Sequence, residues 1–68
     1  MPRNSGGLEN NLKPARNRVG LTQSELARQA SISRQAYSSL ESGAANPSTE
    51  VALRLAQALS EKVESLFY

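Results

Sequence analysis

The sequence predicts an all-α fold built from five short helices, and three observations carry that prediction. Apolar residues recur at helical spacing and never alternate with period two. Ser, Thr and Gly stand where such helices begin and end. The 68 residues include no cysteine and no histidine, so neither a disulfide nor a zinc finger can stand in for a core. Leu, Ala, Val and Ile on packed helices must supply it. A chain this short makes one domain at most and buries only about 60% of the surface its unfolded form exposes.

The elements follow in order. Met1–Gly7 is polar and glycine-rich, which divides the chain into a flexible arm over residues 1–8 and one domain over residues 9–68. A first helix from about Glu9 to Val19 puts Leu12, Ala15, Arg16 and Val19 on one face. Pro14 lacks an N–H and suits the first turn of a helix that starts near Asn11, so a late or irregular start is expected. Gly20 ends it. Thr22-Gln23-Ser24-Glu25 is a capping box that opens a second helix running to about Ala30. Ser31-Ile32-Ser33 makes a turn, and Ser33 caps a third helix that stops at Gly43. After the loop Ala44–Pro47, Ser48 caps a fourth helix with Glu50 in its first turn, where the helix dipole favours a carboxylate. Ala52, Leu55, Ala56 and Leu59 form the buried face of that helix. Ser60–Lys62 breaks it, and Val63–Phe67 has room for one last helical turn.

Charge narrows the function classes. The net charge is only +2, but residues 1–40 hold six basic groups against two acidic, and residues 41–68 hold two basic against four acidic. A positive half beside a negative half suits a polyanionic partner on one face. With no histidine, and no glycine-rich phosphate loop, the chain offers no catalytic constellation and no cofactor or metal site. No apolar run is long enough to span a bilayer, and the start is no secretory signal. Together with the lack of cysteine, this predicts a cytoplasmic location.

Gln23–Ser42, QSELARQASISRQAYSSLES, is the most informative stretch. It reads as a helix-turn-helix. Ala27 is small enough for the two helices to cross, and Leu26, Ile32, Tyr37 and Leu40 tie the pair to the core. Arg34, Gln35, Ser38 and Ser39 are left outward. A helix fits the DNA major groove, where Arg pairs bidentately with guanine and Gln with adenine. The serines are short and suit phosphate or water-mediated contacts. A competing reading is a helical protein–protein interaction module, such as an antitoxin or adaptor. Such a module should expose an apolar groove, and the polar, basic third helix favours the DNA reader.

LTQSELARQASISRQAYSSLESG, continued by NPSTEVALRLAQAL and VESLF, resembles the phage repressor/Cro-type family, also called the XRE family, over roughly Leu12 to Phe67. The resemblance implies a compact five-helix lambda-repressor-like domain that binds double-stranded DNA to regulate transcription. It implies that Gln23 contacts a phosphate and braces the recognition helix through Gln35. It places Arg34 and Gln35 at the first base contacts, Ser33 at the head of that helix, and Ser38 and Ser39 facing the groove one turn on. Arg16 and Glu41 match a structural salt bridge. Ser42, Gly43 and Asn46 fall in a loop that approaches the DNA backbone. One such module buries only about 600–1,000 Å² on DNA, which predicts a homodimer on two half-sites one helical turn apart, joined through the outer face of the fourth helix or Val63–Tyr68. Either the small domain pairs weakly, or, as relatives with a similar ending imply, it is the N-terminal piece of a longer regulator fused to an effector-binding domain. The sequence departs from the family pattern at Ser31 and Ser60, where glycine is usual, at Glu61 in place of an apolar residue, and at Lys62 in place of a capping serine. Serine in the left-handed turn at position 31 either costs about 1 kcal/mol or reshapes the turn slightly.

Overall fold

The computed structural model describes residues 10–68, and five helices follow one another: α1 (Leu12–Val19), α2 (Gln23–Gln29), α3 (Arg34–Glu41), α4 (Thr49–Leu59) and α5 (Val63–Leu66). The arm expected over residues 1–8, and Glu9, lie outside the described residues. α2 packs on α3 and α4, and α4 also packs on α1 and α5. α4 is thus the central element, as the longest helix and the one with four buried positions, Ala52, Leu55, Ala56 and Leu59.

Each start has a local cause. Pro14 sits in the first turn of α1, where no intrahelical N–H is lost. The Asn11 side chain does not cap this helix; instead Leu12 N–H donates to Asn10 Oδ1 at 3.0 Å. At α2 both halves of the capping box form: Glu25 N–H donates to Thr22 Oγ1 at 3.0 Å, and Thr22 N–H to Glu25 Oε1 at 2.8 Å. Ser33 Oγ accepts from Ala36 N–H and Ser48 Oγ from Val51 N–H. α5 has Lys62 at its start and no side-chain cap, and its single turn is held by Ser65 N–H donating to Lys62 O.

Four helix ends share one solution. In each, a left-handed residue turns the chain so that its N–H, and the next one, reach back to the last turn, both to Arg16 O at Gly20 and to two different carbonyls at the other three ends. Leu21 N–H reaches Arg16 O, Ile32 N–H reaches Ala27 O, Ala44 N–H reaches Ser39 O and Glu61 N–H reaches Ala56 O, all at 2.9–3.1 Å. The left-handed residues are Gly20 (φ 88°), Ser31 (φ 62°), Gly43 (φ 84°) and Ser60 (φ 55°). The departures at Ser31 and Ser60 therefore leave the turns in their usual shape. They change only the strain.

The core joins Leu12 and Ala15 to Leu26, Ala27, Ala30, Tyr37 and Leu40, the four residues of α4, and Leu66 and Phe67. Ile32 and Leu21 pack against it from the turns. Val19 does not belong to the buried face of the first helix: it is 47% exposed. The left-handed turn at Gly20 ends α1 there, and Leu21 takes the inward place. The two ends of the domain are sewn together. Asn10 and Phe67 form an isolated antiparallel bridge, Asn11 N–H donates to Leu66 O at 2.8 Å, and Tyr68 OH donates to Asn11 Oδ1 at 3.0 Å.

Candidate nucleic-acid interface

The buried face of α3 fixes what its other face presents. Tyr37 is fully buried and Leu40 nearly so, one turn apart on the inner side. Arg34 and Gln35 stand exposed in the first turn, and Ser38 and Ser39 are half-buried beside them. Neither the Arg34 nor the Gln35 side chain makes a hydrogen bond or an ion pair within the described domain. Their polar ends are free to meet something else. Ser33 is occupied as a cap through its oxygen and keeps its hydroxyl proton to donate. Ser42 donates its hydroxyl to Ser39 O at 3.2 Å, and Asn46 lies exposed in the following loop.

Ion pairing sharpens the charge pattern. Arg16 pairs with Glu41, Arg18 with Glu61 and Arg54 with Glu50. Three of the four carboxylates of residues 41–68 are thereby neutralised, two of them by arginines of residues 1–40. Lys13, Arg28 and Arg34 of residues 10–40 have no such partner. Two of these three cations belong to the helix-turn-helix.

Beneath that surface lies a carboxylate with four donors. Glu41 accepts from Arg16 Nε at 2.9 Å, Arg16 Nη2 at 3.3 Å, Tyr37 OH at 2.6 Å and Gln23 Nε2 at 3.0 Å. The Arg16 and Glu41 side chains are only 12% and 9% exposed. Burial pushes the Glu41 carboxyl upward, and the bonds from Arg16, Tyr37 and Gln23 together outweigh that and hold it below the ordinary carboxylate value. Tyr37 is pushed upward, first by burial and then by the carboxylate beside it. Arg16 also donates to Leu21 O at 2.9 Å, so one guanidinium ties the α1–α2 turn to the end of α3.

Gln23 departs from its expected brace. Its amide nitrogen is held by Glu41 at the end of α3, and no hydrogen bond joins it to Gln35 at the start. The carboxylate wins because it is an ionised acceptor in reach. Gln23 and Arg34 nevertheless line the same open cleft, about 490 Å³ in volume, together with Arg16, Thr22 and Ser24. The backbone N–H groups of Gln23 and Ser24, at the first turn of α2, have no intramolecular acceptor.

The chain matches the helix-turn-helix family over residues 12–66, nearly the whole described domain. The chain belongs to this family, in its XRE type. As a helix-turn-helix chain it is similar to several short proteins. It is 40% identical over 57 residues to an uncharacterized HTH-type transcriptional regulator of Methanothermobacter thermautotrophicus, covering 82% of this chain and 83% of that one. It is 35% identical over 60 residues to the uncharacterized HTH-type transcriptional regulator MJ0272 of Methanocaldococcus jannaschii, covering 88% and 91%. It is 33% identical over 61 residues to the uncharacterized HTH-type transcriptional regulator YgzD of Bacillus subtilis, covering 90% and 92%.

The sequence reading of this helix-turn-helix missed Asn10, Asn11 and the hydroxyl of Tyr37. Asn10 Nδ2 donates to Leu40 O at 3.0 Å and so supports the end of α3. Its signal was present, since Asn is a preferred residue at a helix entrance. The Tyr37 hydroxyl had a weaker one: it lies four residues before Glu41, one turn along the same helix.

Proposed function

We propose that this chain is a sequence-specific DNA-binding regulator of transcription that reads the major groove with α3 in the cytoplasm. The observation that carries the reading is the pair Arg34 and Gln35: exposed, unpartnered, and mounted on a helix whose opposite face is buried through Tyr37 and Leu40. Arg34 recognises guanine and Gln35 adenine, each pair giving about 1–3 kcal/mol of base discrimination. Gln23, the two open N–H groups of α2, and the unpaired Lys13 and Arg28 hold phosphates and set the register. Ser33, Ser38, Ser39, Ser42 and Asn46 extend the contact through phosphates and bridging water. Glu41 and Arg16 hold the scaffold and touch no DNA. Catalysis has no part in this reading.

One module of this kind buries about 600–1,000 Å² on DNA, so a homodimer on two half-sites one helical turn apart performs the task. The apolar patch that serves the pairing surrounds Leu53, which is 53% exposed on the outer face of α4 beside Val63 and Phe67.

The test is a selection from random duplexes with the purified chain. The expected product is an enriched site with dyad symmetry and half-sites about 10 bp apart. Affinity for that site falls steeply as salt rises. A pool that emerges without enrichment, or an affinity indifferent to salt, would reject the reading in favour of a protein partner.

A further inference from the structure

We propose that Glu41 is the positioning residue that sets the side-chain amide of Gln23 for a phosphate contact, with Tyr37 holding Glu41 in place. This rests on the DNA-reading function above. Gln23 is half-buried at the first position of α2, and its terminal amide has two faces of similar shape, one donating and one accepting. A phosphate accepts only, so an amide turned the wrong way offers it an oxygen and repels it. Glu41 removes that ambiguity. As a carboxylate it too can only accept, and it draws Gln23 Nε2 to 3.0 Å. One N–H is used there, and the second remains for a phosphate oxygen at the cleft that Gln23 shares with Arg34.

The carboxylate needs fixing in turn. Arg16 grips both of its oxygens from α1, and Tyr37 OH donates to Oε2 from one turn back along α3. Tyr37 has no access to solvent, so its hydroxyl has no competing water. The network therefore fixes an exposed-edge contact on α2 from buried groups on α1 and α3. The same side chains that pack the recognition helix also aim the phosphate clamp.

The experiment is a double-mutant cycle on affinity for the duplex enriched by the wild-type chain, with thermal melts run on each protein. Gln23→Ala should weaken binding about tenfold, the loss of one hydrogen bond to a charged group. In a Glu41→Gln background the same change should cost less than about twofold, because a neutral amide no longer dictates which way Gln23 faces. Equal losses in both backgrounds would overturn the proposal, whatever the melting temperatures do, since a purely structural role leaves the two effects additive. If Glu41→Gln does not fold, Tyr37→Phe, which keeps the buried ring, supplies the second background under the same criterion. In either background, side-chain NMR of Gln23 should lose the single ordered NH2 signature; an unchanged signature also overturns the proposal. Failure of the wild-type chain to enrich any duplex rejects the DNA-reading function itself, and is told apart from additivity because no cycle can then be measured.

Discussion

Ser31 and Ser60 close two different helices in the same left-handed conformation, with φ of 62° and 55°. Gly20 and Gly43 do the same work at the two other ends with the residue suited to it. Serine carries a Cβ into a region where it crowds the following carbonyl. The chain accepts this because each turn brings N–H donors to two carbonyls of the last helical turn, Ala27 and Arg28 at one end and Ala56 and Gln57 at the other.

Ser31→Gly and Ser60→Gly should therefore each stabilise the domain, by about 0.5–1 kcal/mol after the larger chain entropy of glycine is counted. Tm should rise by about 2–8 °C for each. Gly20→Ala should do the reverse. A Cβ there meets nothing within 4 Å, so the whole cost comes from the backbone at φ 88°. Thermal melts followed by circular dichroism decide the matter, and a lower Tm for Ser31→Gly would contradict the strain argument.

Acid should weaken the domain through Glu41. Its folded carboxyl titrates below the ordinary value of 4.5, so its contribution is present above that value and is lost as pH falls through the folded one. Glu25 acts in the same direction because the Thr22 backbone and hydroxyl hold its charged form. Tyr37 gives the alkaline limb. Its folded value is raised above 10.0, so its stabilisation is complete below pH 10 and fades as pH climbs beyond. Between about pH 6 and 9 the Tm should be flat, since the sequence has no histidine. Tyr37→Phe should abolish the alkaline loss; its persistence would place the titration elsewhere.

Ion pairs of the same chemistry should differ widely in worth. Glu41→Ala leaves Arg16 without its partner at a site nine-tenths covered and removes the acceptor of Tyr37 and Gln23. A loss of about 3 kcal/mol is expected, out of a total of about 3–10 kcal/mol for a domain of this length. Glu50→Ala, whose side chain is 71% exposed, should cost less than about 1 kcal/mol. Urea unfolding of the two variants gives the comparison directly. Similar losses would show that the depth of the pair is not what matters.

Arg34→Ala and Gln35→Ala should flatten base preference at one or two positions of the selected site by about 1–3 kcal/mol each, with helicity and Tm unchanged. Both side chains are exposed and bonded to nothing in the domain. Selections repeated with each variant provide the readout. A variant that keeps the wild-type preference would remove its residue from the reading face.

Much of this architecture was legible because it is written in neighbouring residues. Thr22 and Glu25, Ser33 and Ser48 act within one turn, so their spacing alone announces three helix starts. Periodicity marked the buried face of α4 without error. It failed at Val19, where the helical repeat continues in the sequence but the helix does not continue in the chain.

By itself the sequence determined the five helices, the caps of α2, α3 and α4, the turn positions and the exposed polar face of α3, because these depend on backbone chemistry over three to five residues and on the period of apolar side chains. Only the tertiary structure decided which groups meet across the fold. It sent the amide of Gln23 to Glu41 instead of Gln35, closed Asn10 and Asn11 onto residues 40 and 65–68, and used Glu61 to neutralise Arg18. Such bonds join residues 18 to 57 positions apart. No local pattern encodes them: a polar side chain accepts whichever partner the packed helices bring within hydrogen-bond reach.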